Sequence, residues 1–134
     1  MNNSCIFCKI ITGQIPAAKV YEDDKVLAFL DINPVNYGHT LVIPKEHYSG
    51  FVDLPDELIG EIFSRAKKLI PAIKQAMKAD FVVLSVVGID VLHFHLHLLP
   101  RYFNDGLANF WPTKKYQAGE MEKVAEKIKN KIKN

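Results

Sequence analysis

Hydrophobic and polar positions fall into short alternating runs over the first third of the chain. Val20-Tyr21 and Val26-Leu27-Ala28-Phe29-Leu30 are β-prone runs on either side of the polar stretch Glu22-Asp23-Asp24-Lys25, the form of an antiparallel hairpin. A third run, Thr40-Leu41-Val42-Ile43, follows Gly38 and stops at Pro44. Two more, Phe81 to Val87 and Leu92 to Leu99, bring the strand candidates to five, the last ended by Pro100. Between the third and fourth runs the period changes. Leu58, Ile62, Ala66, Leu69, Ile73 and Met77 recur every three or four residues, which predicts an amphipathic helix opening near Pro55-Asp56-Glu57. Pro71 lies inside it; a proline there cannot donate to the carbonyl four residues back, so a kink or break is expected between Lys67 and Pro71. A second helix is expected after Gly119, with Met121, Val124, Ile128 and Ile132 on one face. Together these elements predict an α+β fold: a five-stranded antiparallel sheet, one long helix and a C-terminal helix.

The length, 134 residues, suits one compact domain spanning residues 1–134. The composition, 49% hydrophobic and 24% charged, is that of an ordinary globular protein. No run approaches the roughly 18 consecutive apolar residues of a membrane span. Met1-Asn2-Asn3-Ser4-Cys5 has no basic region leading into an apolar stretch, so no secretory signal is expected and the cytoplasm is the expected compartment. Seventeen basic against fifteen acidic residues leave too little net charge to draw in nucleic acid through the overall field. The lysines at 123, 127, 129, 131 and 133 read as a solvated helix face favoured by the helix dipole.

Chemistry concentrates in His93-Phe94-His95-Leu96-His97. In a strand, alternate side chains share a face, so the three imidazoles would line one side, neighbours roughly 6.5 to 7 Å apart, while Phe94, Leu96 and Leu98 line the other. One buried histidine is commonly a hydrogen-bonded core residue; three in register point to function. Two uses are open: a metal cluster, since imidazole is a common ligand, or nucleophilic and acid–base catalysis. Spacing alone does not choose between them. Cys5-Ile6-Phe7-Cys8 is a Cys-x2-Cys pair, half of a tetrahedral zinc site; His47 and one histidine of the run, His93, would complete a two-cysteine, two-histidine set. The alternative is a pair of packed thiols that hold no metal.

Several blocks in order resemble the histidine triad (HIT) superfamily of nucleotide hydrolases and transferases, in its Hint-type branch. They are His93-Phe94-His95-Leu96-His97-Leu98-Leu99-Pro100-Arg101, Cys5-Ile6-Phe7-Cys8-Lys9-Ile10-Ile11, Val20-Tyr21-Glu22-Asp23-Asp24, Ala28-Phe29-Leu30-Asp31-Ile32 and Gly38-His39-Thr40-Leu41-Val42-Ile43-Pro44-Lys45-Glu46-His47. The resemblance implies a homodimer whose sheets join. It also implies a purine nucleotide substrate and attack by the middle histidine, His95, on the α-phosphorus of a nucleoside phosphoramidate or dinucleoside polyphosphate. A nucleotidyl-histidine then forms and is hydrolysed by water. No metal is required for that chemistry, so zinc would be structural. His97 would donate to phosphate oxygens, and His93 would orient the nucleophilic ring or bind zinc. The matching base-pocket positions are Ile6, Phe7, Ile10, Phe29 and Ile32, with Asp31 accepting from ribose hydroxyls. The competing reading of the five apolar residues is core packing.

The match weakens before the triad. Where the family carries an asparagine and an Ala-Gly-Gln-like stretch, this chain reads Val82 through Leu92, with Ile89 in place of a common amide and Asp90 in place of a hydroxyl residue. Asp90 is a candidate general acid or positioning group, or else a turn aspartate capping backbone amides after Gly88. Phe110-Trp111-Pro112 is an aromatic cluster for closing over the site, for a dimer interface, or for ordinary packing. Two rival functions remain: a zinc-stabilised nucleotide-binding or interaction module with an idle triad, and a metalloenzyme ligating metal through His93, His95 and His97.

Overall fold

A computed structural model describes residues 4–133, so most of the N-terminal stretch on which the signal reading rests lies outside the described residues. Among the described residues five strands form one antiparallel sheet: β1 (Lys19–Glu22), β2 (Val26–Leu30), β3 (Thr40–Pro44), β4 (Phe81–Ser85) and β5 (Leu96–Arg101), in the spatial order β1-β2-β3-β5-β4. The hairpin β1–β2 turns on Asp23, whose carboxylate accepts the backbone N–H groups of Lys25 and Val26 at 2.8 Å. The sheet is covered on both faces. Val26, Ala28, Val42, Leu96 and Leu98 pack with Ile62, Ala66 and Ile73 of the long helix α2 (Asp56–Met77). The intervening residues Leu27, Phe29, Leu41 and Ile43 pack with Phe7, Cys8 and Ile10 of a short helix, α1 (Ile6–Ile11). Burial on both faces explains why β2 and β3 read as continuous apolar runs rather than as an alternation.

Three expectations are corrected. The fourth strand stops at Ser85 instead of Val87, because Gly88 turns the chain at φ +72°. The histidine strand begins at Leu96, not Leu92, and runs on through Pro100 to Arg101. Its first residues are drawn aside: the Phe94 N–H donates to the Tyr48 carbonyl at 2.7 Å, and the His93 ring donates to the Pro44 carbonyl at 2.8 Å. Pro100 is tolerated because it lies past Leu98, the last residue of β5 paired with β3, where a missing N–H breaks no ladder on that side. Helix α2 runs unbroken through Pro71. The proline removes one helical hydrogen bond, and anchoring of Ile62 and Ala66 before it and Ile73 after it holds both halves on the sheet.

The C-terminal helix α3 (Glu120–Lys129) opens after Gly119 as predicted, but none of its residues is buried and Ile132 lies beyond its end. Of its apolar face only Val124 is partly covered, and Met121 and Ile128 are exposed. Helix α1 was not anticipated, since six residues are too few to show a period. No helix among the described residues is long and apolar enough to cross a membrane.

At Gly38 φ is +96°, and a Cβ there would lie 2.6 Å from Met77 Cγ, so the turn that delivers His39 to β3 needs glycine on both counts. Replacing fully buried Ile62 by alanine leaves a cavity between α2 and the sheet and is expected to cost about 3 kcal/mol. Urea unfolding checks this: a lowered midpoint at unchanged slope is expected, and an unmoved midpoint would refute the assigned packing.

Candidate active site

The alternation from Phe94 to Leu98 determines which way the histidines face. Phe94, Leu96 and Leu98 are locked in the core beneath α2, so His95 and His97 emerge on the α1 side and line a cleft of about 500 Å³. The remaining walls come from α1 (Ile6, Phe7, Ile10), the end of β2 (Phe29, Asp31, Ile32) and the loop Val87–Val91, Asp90 included. Of the apolar five, Phe7, Ile10 and Phe29 are core and cleft wall at once, whereas Ile6 and Ile32 are exposed at its mouth. Core packing thus accounts for three of them and not for the other two.

Backbone groups assign the tautomers. A carbonyl can only accept, so the 2.8 Å contact between His95 Nδ1 and the His93 carbonyl places the proton on Nδ1 and leaves the lone pair on His95 Nε2. The Phe7 ring packs edge-on against His95 with centroids 5.1 Å apart, confining the imidazole further. The same logic runs through a residue that the sequence reading assigned no role. His39, 4% exposed, accepts the Val35 N–H on its Nδ1 at 3.1 Å, so its Nε2 carries the proton. That Nε2 donates to His97 Nδ1 at 2.9 Å, leaving His97 with its proton on Nε2. Burial lowers the pKa of His39 and brings that of His97 down to about 4, so both rings are neutral at physiological pH and the chain of donors holds. The sequence signal for His39 was a polar residue preceding β3 between Gly38 and a strand buried on both faces.

Asp31, His39 and His97 also bring three donor atoms within 4.8 Å of one another. Within that trio only His39 and His97 are hydrogen-bonded, at 2.9 Å, and the His39 Nε2 proton is committed to that bond. Asp31 accepts the Asn33 N–H at 2.9 Å and stands 3.7 Å from His39 Nε2. Asp90 is exposed in the bend after Gly88 and lines the cleft, and no hydrogen bond to its carboxylate is found among the described residues. Phe110 and Trp111 pair edge-to-face but are exposed and stand outside the cleft lining.

His93 faces elsewhere. Its Nε2–H donates to the Pro44 carbonyl, so the Nδ1 lone pair points into a buried group with Cys5, Cys8 and His47. There His93 Nδ1 lies 3.5 Å from Cys5 Sγ, 3.6 Å from Cys8 Sγ and 3.2 Å from His47 Nδ1, and Cys8 Sγ lies 3.4 Å from His47 Nδ1. A tetrahedral zinc ion at about 2.3 Å from sulfur and about 2.0 Å from nitrogen separates two nitrogens by about 3.3 Å and a sulfur from a nitrogen by about 3.5 Å. The four side chains fit such an ion, with the Pro44 carbonyl orienting His93. The three triad histidines do not converge on one point, since His93 looks away from the cleft, and the metalloenzyme reading fails on that geometry.

A HIT domain model matches residues 12–104. The chain belongs to the histidine triad family. A HIT-like protein of Methanocaldococcus jannaschii is 43% identical over 93% of this chain and 98% of its own length. An adenosine 5′-monophosphoramidase of Schizosaccharomyces pombe is 39% identical over 97% of this chain and 99% of its own. Among solved structures, a HIT family member from Bacillus subtilis superposes with a TM-score of 0.87 at 39% identity, covering 99% of both chains. A zinc-bound histidine triad family protein from Mycobacterium smegmatis superposes at 0.75 with 32% identity, over 95% of this chain and 96% of that one. The antiparallel five-stranded fold is thus the HIT fold, as the resemblance implied.

The relay has a consequence for stability. His97, faced by His39, His95, Asp31 and Asp90, has a pKa lowered from 6.5 to about 4. Between those values the unfolded chain binds more protons than the folded one, so stability falls as the pH drops from 6.5 to about 4 and is insensitive to this group above 6.5. Thermal unfolding midpoints across that window should fall more steeply for the natural protein than for His97→Gln; parallel curves would contradict the assignment.

Proposed function

We propose that this HIT protein is a nucleotide hydrolase that attacks the α-phosphorus of a purine nucleoside phosphoramidate, or of a dinucleoside polyphosphate, with His95 Nε2. The observation that carries the reading is the tautomer lock: His95 Nδ1 is tied to the His93 carbonyl on the wall of a cleft also lined by apolar residues of α1 and β2. In this reading a purine base lies against Ile6, Phe7, Ile10, Phe29 and Ile32, all of which line the cleft, and Asp31 accepts from the ribose hydroxyls. The adenosine phosphoramidase named above, matched over nearly the full length of both chains, supports the substrate class.

In the first step His95 Nε2 bonds to phosphorus while the bond to the leaving nitrogen breaks, its electron pair departing with the nitrogen. His97 Nε2–H donates to the non-bridging oxygens as their charge grows, and the His39 bond keeps that proton on Nε2. Water then displaces His95 from phosphorus. The phosphoramidate nitrogen takes a proton from solvent before the bond breaks, so it departs as a neutral amine; in the second step the hydroxyl of water goes to phosphorus, its remaining proton returns to solvent, and His95 regains its starting form. Zinc held by Cys5, Cys8, His47 and His93 would tie α1 to the triad segment. In this reading it takes no part in bond making. The zinc-bound mycobacterial relative and the fit of the four donors support it. A homodimer in the cytoplasm completes the proposal, supported by the exposed Leu84, Val86 and Val87 on and after edge strand β4.

Intact-protein mass spectrometry after brief mixing with an adenosine phosphoramidate tests the nucleophile. A transient nucleotidyl mass is expected for the natural protein and none for His95→Ala, which should keep nucleotide binding. An adduct persisting in His95→Ala rejects the assignment, and bound nucleotide with neither adduct nor product in the natural protein favours the idle binding module. Elemental analysis tests the metal: about one zinc per chain is expected, lost in Cys8→Ser and kept in His95→Ala. Loss in His95→Ala with retention in Cys8→Ser would overturn the structural site.

A further inference from the structure

The reading above leaves the departing group undefined, and the charge lining the cleft narrows it. Among the described residues of one protomer that wall the cleft, Asp31, Asp90, His95 and His97 are the ionisable ones, and none is a lysine or arginine. His97 is neutral at physiological pH because burial lowers its pKa. Among the described residues of the protomer the cleft thus holds two carboxylates and no lysine or arginine. A polyphosphate leaving group would bring several negative charges into this site with nothing to neutralise them, whereas phosphoryl-transfer sites that handle such groups surround them with lysine, arginine or a divalent ion.

The two carboxylates stand on different walls. Asp31 follows β2, next to the apolar end assigned to the base, and its oxygens are engaged by the Asn33 N–H and face His39. Asp90 lies in the loop Val87–Val91, which borders the histidines from the other flank and is turned by Gly88 at φ +72°. Its carboxylate is exposed, accepts no hydrogen bond among the described residues, and is near enough to His97 for its charge to act on that ring. With the nucleoside seated against α1 and β2, this loop is the wall left for the departing group. An acid there attracts a cation and repels an anion.

Resting on the nucleotidyl-transfer reading, we propose that Asp90 is a specificity-determining residue that selects amine leaving groups bearing a second, positively charged centre, and that the acidic cleft discriminates against polyphosphate leaving groups. The carboxylate acts on the substrate's remote charge and takes no part in bond breaking.

Three adenosine 5′-phosphoramidates of similar size test this: one made from 1,2-diaminoethane with its far amine cationic, one from propylamine, and one from β-alanine with an anionic far end. At low ionic strength kcat/KM for the cationic compound is expected to exceed that for the neutral one by about fivefold, the scale of one partly solvated ion pair, with the anionic compound slowest. In Asp90→Asn the three values should converge, and in the natural protein salt should narrow the spread. Diadenosine tetraphosphate should be turned over more slowly than any of the three by the natural protein. Turnover of all three amidates with the same ratios in Asp90→Asn as in the natural protein overturns the proposal while leaving the His95 mechanism standing. So does a natural protein that prefers the anionic compound or the tetraphosphate. Absence of both turnover and adduct with every compound overturns the mechanism, and this proposal with it.

Discussion

The segment from His93 to Leu98 is held by its apolar members. Phe94, Leu96 and Leu98 are almost wholly buried between the sheet and α2, and a chain anchored at every second residue has no freedom to turn the residues between them. His95 and His97 are thereby presented on the α1 face with no dedicated scaffold of their own. Shifting the segment by one residue would bury two imidazoles in an apolar core and expose three large apolar side chains, which the hydrophobic effect opposes strongly. The histidine-lined face of the cleft is in this sense a by-product of core packing on the opposite side of the same strand.

Packing aims the rings, and hydrogen bonds then settle their protons. Each imidazole of the relay has one nitrogen committed to a group whose role cannot change: the His93 carbonyl for His95, the Val35 N–H for His39, and through His39 the Nδ1 of His97. Burial lowers the pKa of His39 and His97 and keeps them neutral. Neutrality matters because a neutral ring has one donor and one acceptor, so an assignment made at one end propagates to the other. The outcome is a lone pair on His95 and a donor on His97, the complementary pair that attack on a phosphorus centre calls for.

Helix α1 joins two regions that look separate in the chain. Phe7 packs on His95 and Phe29, and Cys5 and Cys8, at and inside the same helix, face His93 and His47. One short helix thus builds the apolar wall of the cleft and half of the candidate metal centre. A helix of six residues has little stability of its own, so its position depends on those contacts. His93 contributes to both regions, with its ring directed to the thiols and its carbonyl to His95.

How much of this the amino-acid order contains differs by feature. The α+β class, the five strands, the period of α2 and the start of α3 follow from local hydrophobic patterns, which bear directly on neighbours one to four residues away. The grouping of His95, His97, Asp31 and the apolar base-pocket residues was reached through the family resemblance, and residue periodicity alone left it open. What local pattern misjudged were places where distant chain segments compete for the same backbone. Leu92 to His95 reads as strand yet leaves the sheet because the Tyr48 and Pro44 carbonyls, about fifty residues earlier in the chain, take the Phe94 N–H and the His93 ring N–H. Pro71 reads as a break yet is bridged by burial on both sides of it. His39 lay in one of the family-like blocks but was assigned no role there, and its hydrogen bond to His97 exists only because β3 and β5 pair Leu41 with His97. By itself the sequence determined which side chains face together along one strand or one helix; tertiary structure alone decided which way each imidazole proton points, because that depends on partners brought near only by the fold.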